Sequence, residues 1–263
     1  MHNPPGTAAT ARLWLIAGTG EGPVLATRLL DRGWRIQVSL VSSAAALAYR
    51  SHPNLDLRVG AIEAKAGISR ELALSRERGG GFQWVIDASH PFACQISLAV
   101  NKACQAAGQP MLRLHRPPLP TGTARVLKGL SDLQHCELEA ARLLMAIGSR
   151  RMGEAMASTP RALHHARILP HALALQQAMA AGLPPERVAC LRPGGDMAIE
   201  RALCRRWGIT TVLCRQSGGV TEGGWSSICS ELGLRLLLLE RPDEALAAPT
   251  LTMEQLLERV GWP

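Results

Sequence analysis

Apolar positions along this chain follow two periods in turn. Short, nearly continuous apolar runs at residues 12–17, 35–41, 55–59, 82–88 and 110–115 have the length of buried strands. Between them the apolar residues recur at helical spacing. Val24, Leu25, Leu29 and Leu30 do so after Pro23, and residues 68–78 and 96–107 read the same way. Gly33 and Gly79-Gly80-Gly81 mark helix ends. This alternation predicts a parallel, doubly wound sheet. The stretch Arg116-Pro117-Pro118-Leu119-Pro120 breaks it and reads as a stiff linker. A second alternating series follows, with strands at 142–147, 162–169, 188–191, 211–215 and 235–239 and helices at 151–157, 171–181, 197–207 and 225–232. A closing helix at 252–260 has Thr252 and Gln255 at capping-box spacing. The expectation is an α/β protein of two Rossmann-like parallel-sheet domains, residues 1–117 and 118–263, with a cleft between them.

Composition narrows the picture. Of 263 residues, 47% are apolar but only 3% aromatic, so Leu, Ala and Val must fill the cores. No apolar run approaches the roughly 20 residues of a membrane span. Residues 1–10 are small and polar and read as a frayed start, without the regions of a signal peptide. The seven cysteines are scattered through apolar segments with no Cys-x-x-Cys pair. That pattern predicts buried free thiols in a reducing cytoplasm and no metal site. The net charge of +8 is carried by arginine, since Lys65, Lys102 and Lys128 are the only lysines. Arginine forks match carboxylate and phosphate groups. With so few aromatics a nucleic-acid partner is not expected, which leaves an acidic small molecule or a solvated basic surface.

Candidate chemistry gathers at strand ends. Asp87-Ala88-Ser89-His90-Pro91-Phe92-Ala93 ends one apolar run and opens an amphipathic one, with Pro91 expected at the first helical position. In open α/β sheets ligands sit at such turns. His90 is a candidate base there, or a cap. Gly18-Thr19-Gly20-Glu21-Gly22 lies at the first strand–helix turn, where glycines let backbone N–H groups approach a phosphate, or simply make a tight turn. The second strand ends in Val41-Ser42-Ser43 with no acid, which favours NADP over NAD. Arg50 is near enough to reach a 2′-phosphate, or is a helix-surface residue. In the second half, Arg167, Arg192-Pro193-Gly194-Gly195 and Arg215-Gln216-Ser217-Gly218-Gly219 close successive strands. His164 and His165 are partners of the same anion or a surface pair on an edge strand. Gly-x-Ser-x-Gly, Walker and His-Glu-x-x-His motifs are absent, and so is a Tyr-x-x-x-Lys pair, since Tyr49 is the only tyrosine.

Together these segments resemble the precorrin-6A reductase family of cobalamin biosynthesis. The resemblance rests on Gly-Thr-x-Glu after the first strand, Asp-Ala-Ser-His-Pro-Phe-Ala after the fourth and Leu-Arg-Leu-x-Arg-Pro after the fifth. Arg167-Ile168-Leu169-Pro170, Gln216-Ser217-Gly218-Gly219 and Leu239-Glu240-Arg241-Pro242 extend it across residues 13–242. It implies an oxidoreductase that uses NADPH to reduce one double bond of precorrin-6A or its cobalt form. Gly18, Thr19, Gly20, Glu21 and Gly22, with Ser42 and Ser43, would hold the cofactor. Asp87, Ser89, His90, Pro91, Phe92, Arg167, Arg215, Ser217, Gly218 and Gly219 would meet a carboxylated tetrapyrrole. The chain departs from the family pattern at Arg215-Gln216, where Lys-Asp is usual, at Trp225-Ser226-Ser227, where a lysine is common, and at Arg192-Pro193-Gly194, where Gly-Pro-Phe is common. A non-catalytic corrinoid carrier and a different NADP-dependent reductase are the competing readings; a carrier need not bind NADPH.

Overall fold

The first strand already shows why a parallel sheet forms. In β1 (Arg12–Ala17) every residue from Leu13 to Ala17 is buried, so both faces are covered. Leu13, Leu15 and Ala17 face one core, while Trp14 and Ile16 face another. The computed structural model describes residues 11–18, 20–192, 195–243 and 247–263. The start at residues 1–10, Thr19 and the Pro193-Gly194 step lie outside the described residues.

The chain continues through α1 (Glu21–Asp31), β2 (Arg35–Leu40), α2 (Ser43–Ala46), β3 (Leu55–Val59), α3 (Ala64–Glu77), β4 (Trp84–Ala88), α4 (Cys94–Ala106) and β5 (Met111–Leu114). It then forms β6 (Arg125–Leu127), β7 (Arg142–Ala146), α5 (Met152–Ala157), β8 (Leu163–Ile168), α6 (Ala172–Ala180), β9 (Val188–Cys190) and α7 (Ala198–Trp207). Last come β10 (Thr211–Arg215), α8 (Val220–Leu232), β11 (Arg235–Leu239), β12 (Thr250–Leu251) and α9 (Met253–Val260). These strands make two six-stranded sheets, ordered β3-β2-β1-β4-β5-β12 and β9-β8-β7-β10-β11-β6, with every pairing parallel. Each order reverses direction once, at β1/β4 and at β7/β10. Those are the positions where doubly wound sheets bind ligands.

The chain divides into two units, one taking residues up to Arg116 together with Pro242–Pro263, the other taking Pro117–Arg241. The expected boundary at the proline-rich linker is where the first unit is interrupted. The expectation that residues 118–263 stay together is not met, because the last segment returns. β12 pairs with β5, and Leu256, Leu257 and Val260 of α9 enter the core of Leu25, Leu29 and Leu30 of α1. Leucines of α9 on one helix face supply the reason: the hydrophobic surface left beside α1 needs a cover. β6 and β12, three and two residues long, are too short for a periodic signal.

In the first unit, α1 and α9 share one core with Ile36, Val38 and Leu40, and α3 and α4 share the other with Val85 and Val100. Trp14 stacks on Phe82 at 5.5 Å and donates its indole N–H to Ser39 Oγ at 2.9 Å. In the second unit Leu144, Val212 and Leu238 pack on Trp225 and Ile228 of α8 and Cys204 of α7. The capping box of Thr252 and Gln255 is formed at the start of α9. Helix starts shift where a cap was misjudged: α1 begins at Glu21 and not Pro23, and α8 at Val220 and not Trp225. Five cysteines are buried as expected, and burial pushes the Cys104 thiol up to about 12. Cys190, ending the edge strand β9, is exposed. No helix among the described residues is long and apolar enough to cross a membrane.

The histidine pair differs from the surface reading. β8 runs inside its sheet between β7 and β9, so His164 and His165 are both buried. His164 Nε2 lies 2.8 Å from Thr159 Oγ1, and the His165 ring lies 5.0 Å from Trp207. Burial holds both imidazoles below their ordinary value. The unfolded chain therefore takes up protons that the folded one refuses, and stability falls as pH drops below about 6.5. Each histidine contributes up to about 1.4 kcal/mol per pH unit to that loss. Denaturant melts at about pH 7.5 and about pH 5 should show the parent losing stability on acidification and His165→Phe losing measurably less. Parallel losses in the two proteins would contradict this assignment.

Candidate functional site

At the first switch point β1 delivers Gly18, and Gly20 caps α1. Gly20 has an ordinary helical φ of −61°, and a Cβ built on it meets no atom within 4 Å. The nearest atom to a Cβ on Gly18 is the His90 amide nitrogen, 4.0 Å away. Among the described residues nothing demands glycine at either place. Gly22 is different: a Cβ there would lie 2.5 Å from Tyr49 Oη and 2.8 Å from Ala17 Cβ. Gly22 is a packing glycine, and Tyr49, which drew notice only for lacking a Tyr-x-x-x-Lys partner, is the neighbour that requires it. The Tyr49 hydroxyl is buried without a hydrogen-bond partner among the described residues, and burial raises its pKa.

Beyond β2, Ser42 caps α2 by accepting the Ala45 N–H at 3.3 Å, and Ser43 is exposed beside it. Arg50, considered for a 2′-phosphate, is ion-paired with Asp31 at 2.5 Å on the surface.

The Asp87–Ala93 turn is built around two buried charges. Asp87 is fully buried and pairs with Arg113 at 2.6 Å, Arg113 itself being 2% exposed. The two residues stand opposite each other in the β4–β5 register. Asp87 Oδ1 also accepts the Ser89 N–H at 2.9 Å, while Ser89 Oγ meets Ser97 Oγ of α4 at 3.1 Å and Arg113 at 3.3 Å. Asp87 and Ser89 are thus inside the protein and do not line an open surface. The physical reason is mutual: an arginine on an inner strand needs a carboxylate within reach. The expected helix start at Pro91 is also corrected. α4 begins at Cys94, because His90 holds the turn open: its Nδ1 accepts the Phe92 N–H at 3.1 Å and its carbonyl accepts the Ala93 N–H at 2.7 Å. Pro91 is buried, while His90 and Phe92 are half-buried with ring centroids 5.7 Å apart. Glu21 is paired as well, with Arg116 at 3.1 Å. Arg113 and Arg116 were missed as site residues. The available signal was an arginine set between leucines in a strand, Leu112-Arg113-Leu114.

In the second unit Ser217 is buried, Gly218 has φ +70°, and Gly219 caps α8. The Gly218 N–H donates to Glu222 Oε2 at 2.6 Å, so the loop is tied to the helix it precedes. Gln216 accepts from Arg241 through its side chain and its carbonyl, both at 3.4 Å. Arg215 at the end of β10 is partly buried and lies against Gly148. Arg167 is buried in contact with Glu200 of α7 at 3.4 Å, and burial lowers its pKa. The structure therefore gives Arg167 an internal carboxylate instead of an exposed anion partner, and Glu200 was not anticipated.

The Asp87–Arg113 pair sets the stability of the first unit. Asp87→Ala leaves an uncompensated buried guanidinium and should cost about 3–5 kcal/mol. The double replacement Asp87→Leu with Arg113→Met should cost clearly less, because no charge is stranded. Urea unfolding of the three proteins measures both, and equal losses would show that the charges do not act as a pair.

Comparison with known proteins places this arrangement. Residues 12–261 match the precorrin-6x reductase CbiJ/CobK family. The chain is 31% identical over 242 residues to a cobalt-precorrin-6A reductase of Synechocystis sp., covering 88% of this chain and 89% of the relative. It is 28% identical over 258 residues to a precorrin-6A reductase of Rhodobacter capsulatus, with 95% of each chain covered. The solved structure of CobK precorrin-6A reductase superposes with a TM-score of 0.72 at 26% identity, over 95% of this chain and 96% of the other. The match spans both sheets and each of the three motifs tied together by Asp87, Glu21 and their arginines, and the chain belongs to the precorrin-6x reductase CbiJ/CobK family.

Proposed function

We propose that this protein reduces one double bond of precorrin-6A or cobalt-precorrin-6A with NADPH, a step of cobalamin biosynthesis. The observation that carries the reading is the open glycine turn at the switch point of the first sheet. Among the described residues, no atom comes within 4 Å of a Cβ built on Gly20, and the nearest to one on Gly18 is the His90 amide nitrogen at 4.0 Å, in front of the N-terminus of α1. Backbone N–H groups and the helix dipole favour a pyrophosphate there. Ser42 and Ser43, with no acid at the end of β2, suit a 2′-phosphate. Glu21 stays engaged by Arg116, so its charge is balanced beside the anion.

The nicotinamide, when bound, supplies a hydride to an electrophilic carbon of the conjugated ring. The remaining work is positioning. Asp87 and Ser89 act through the turn they brace. His90 and Phe92 are its half-buried residues and line the substrate side, with Pro91 buried between them. With Nδ1 accepting the Phe92 N–H, a neutral His90 carries its proton on Nε2. That makes His90 the candidate proton-handling group. Arg215 with Ser217, Gly218 and Gly219 receives substrate carboxylates, for which an arginine fork is the natural partner.

Pure protein incubated with precorrin-6A, with and without cobalt, should oxidise NADPH with at least one of the two. NADPH binding without oxidation in either case would favour a different NADP-dependent reductase, and no NADPH binding would favour a carrier. Two substitutions test the cofactor turn. Gly20→Val has space and an ordinary backbone, so it should fold while NADPH affinity drops by about tenfold or more. An unchanged titration removes the turn from the site. Ser42→Asp should weaken NADPH by about 1–3 kcal/mol and spare NADH. Equal affinity of the parent for both cofactors would refute the 2′-phosphate assignment.

A further inference from the structure

Tyr49 is the only tyrosine of the chain, and its hydroxyl is buried with no hydrogen bond among the described residues. Its N–H donates to the Ala46 carbonyl at 3.0 Å, just beyond α2. Its ring packs against the core that holds Leu15 of β1 and Leu25 of α1. A buried hydroxyl with no partner costs stability, and phenylalanine would fill the same place without that cost. The oxygen therefore calls for an acceptor from outside the chain.

The hydroxyl ends at the glycine turn. A Cβ built on Gly22 would lie 2.5 Å from Tyr49 Oη and 2.8 Å from Ala17 Cβ. Cα–Cβ bonds in a helix tilt toward its N-terminus. Tyr49 Oη thus lies on the N-terminal side of Gly22, where the end of β1 meets the first turn of α1, and only glycine admits it there. The backbone donors of that turn are incomplete. Pro23 is the third residue of α1 and has no N–H, so this helix start offers an anion one donor fewer than usual. The phenol supplies a neutral donor beside the N–H groups that remain. It faces no solvent, so an anion meets it only where the backbone of the turn gives way. Gly20 permits that, since a Cβ built on it meets no described atom within 4 Å and glycine lets backbone and ligand approach closely.

We infer that Tyr49 is a cofactor-binding residue. Its hydroxyl donates to a phosphate oxygen of the pyrophosphate at the start of α1, in place of the N–H that Pro23 lacks. This rests on the cofactor reading of the glycine turn and adds to it a residue from outside the motif, brought there by α2.

Tyr49→Phe removes the hydroxyl and keeps the ring. Calorimetry on the full-length protein compares NADPH with adenosine 2′-phosphate, which carries the 2′-phosphate but no pyrophosphate. The variant should bind NADPH about tenfold or more weakly, the loss expected for a hydrogen bond to a charged group. It should bind adenosine 2′-phosphate as the parent does. The NADPH loss should persist at high salt, because a hydroxyl has no charge to screen. The ligand-free melting temperature separates binding from a structural role. Tyr49→Phe should leave it unchanged or raise it, because a stranded hydroxyl is removed. The inference is overturned if the variant binds NADPH as the parent does, if both ligands weaken alike, or if the ligand-free variant melts lower. Failure of the cofactor reading would appear separately, as a parent protein that does not bind NADPH at all, and would take this inference with it.

Discussion

The first unit is organised by one buried ion pair. Asp87 and Arg113 are held almost entirely out of water at 2.6 Å, and either charge alone would be costly there. Their satisfaction requires several elements at once. β4 must lie beside β5 in the observed register, Ser89 must turn back to the second carboxylate oxygen, and α4 must bring Ser97 to Ser89. The Arg113 amide donates to the Pro249 carbonyl, so the returning C-terminal segment closes the edge of the strand that carries the arginine. His90 stands one residue beyond this network. Its place at the switch point follows from electrostatics that do not themselves face a ligand. Arg116, three residues past Arg113, repeats the device with Glu21 at the start of α1. Two arginines of one segment thereby tie the fourth strand's turn and the first helix to the same strand end.

The basic charge of the chain has three physical fates. Some arginines form surface pairs, as Arg58 with Asp56, or Arg201 and Arg205 with Glu231. Such exposed pairs contribute little to stability. Others are internal, as Arg113, Arg116 and Arg167, each with a carboxylate in contact. A third case is Arg215, half-buried at the end of β10, where burial lowers its pKa. Counting charge along a sequence does not separate the three, because what separates them is burial and the position of the nearest acid.

The two sheets share one strand order, and both obtain their sixth strand from outside the alternating series. In the first the strand comes after the second unit, as β12; in the second it comes before the series begins, as β6. Both additions cap an edge with only two or three residues. A short strand suffices because its function is to satisfy backbone groups on an edge, not to build a core.

The strand–helix alternation, the linker, the capping box and the segments at strand ends were all legible from residue order, since they depend on local periodicity and on what glycine and proline do to a backbone. The motifs that revealed the family were legible for the same reason: they are contiguous. What each charged residue does was decided only by the tertiary structure. Asp87 became an internal anchor because Arg113 lies across a strand pair, 26 residues away. Arg167 turned inward because Glu200 on α7 comes within reach of it, and His164 and His165 became interior because Thr159 and Trp207 are brought against them. The return of the last residues to the first sheet depended on a hydrophobic surface assembled from distant leucines. Local patterns specify elements, whereas burial and charge pairing are properties of surfaces that exist only after the elements have packed.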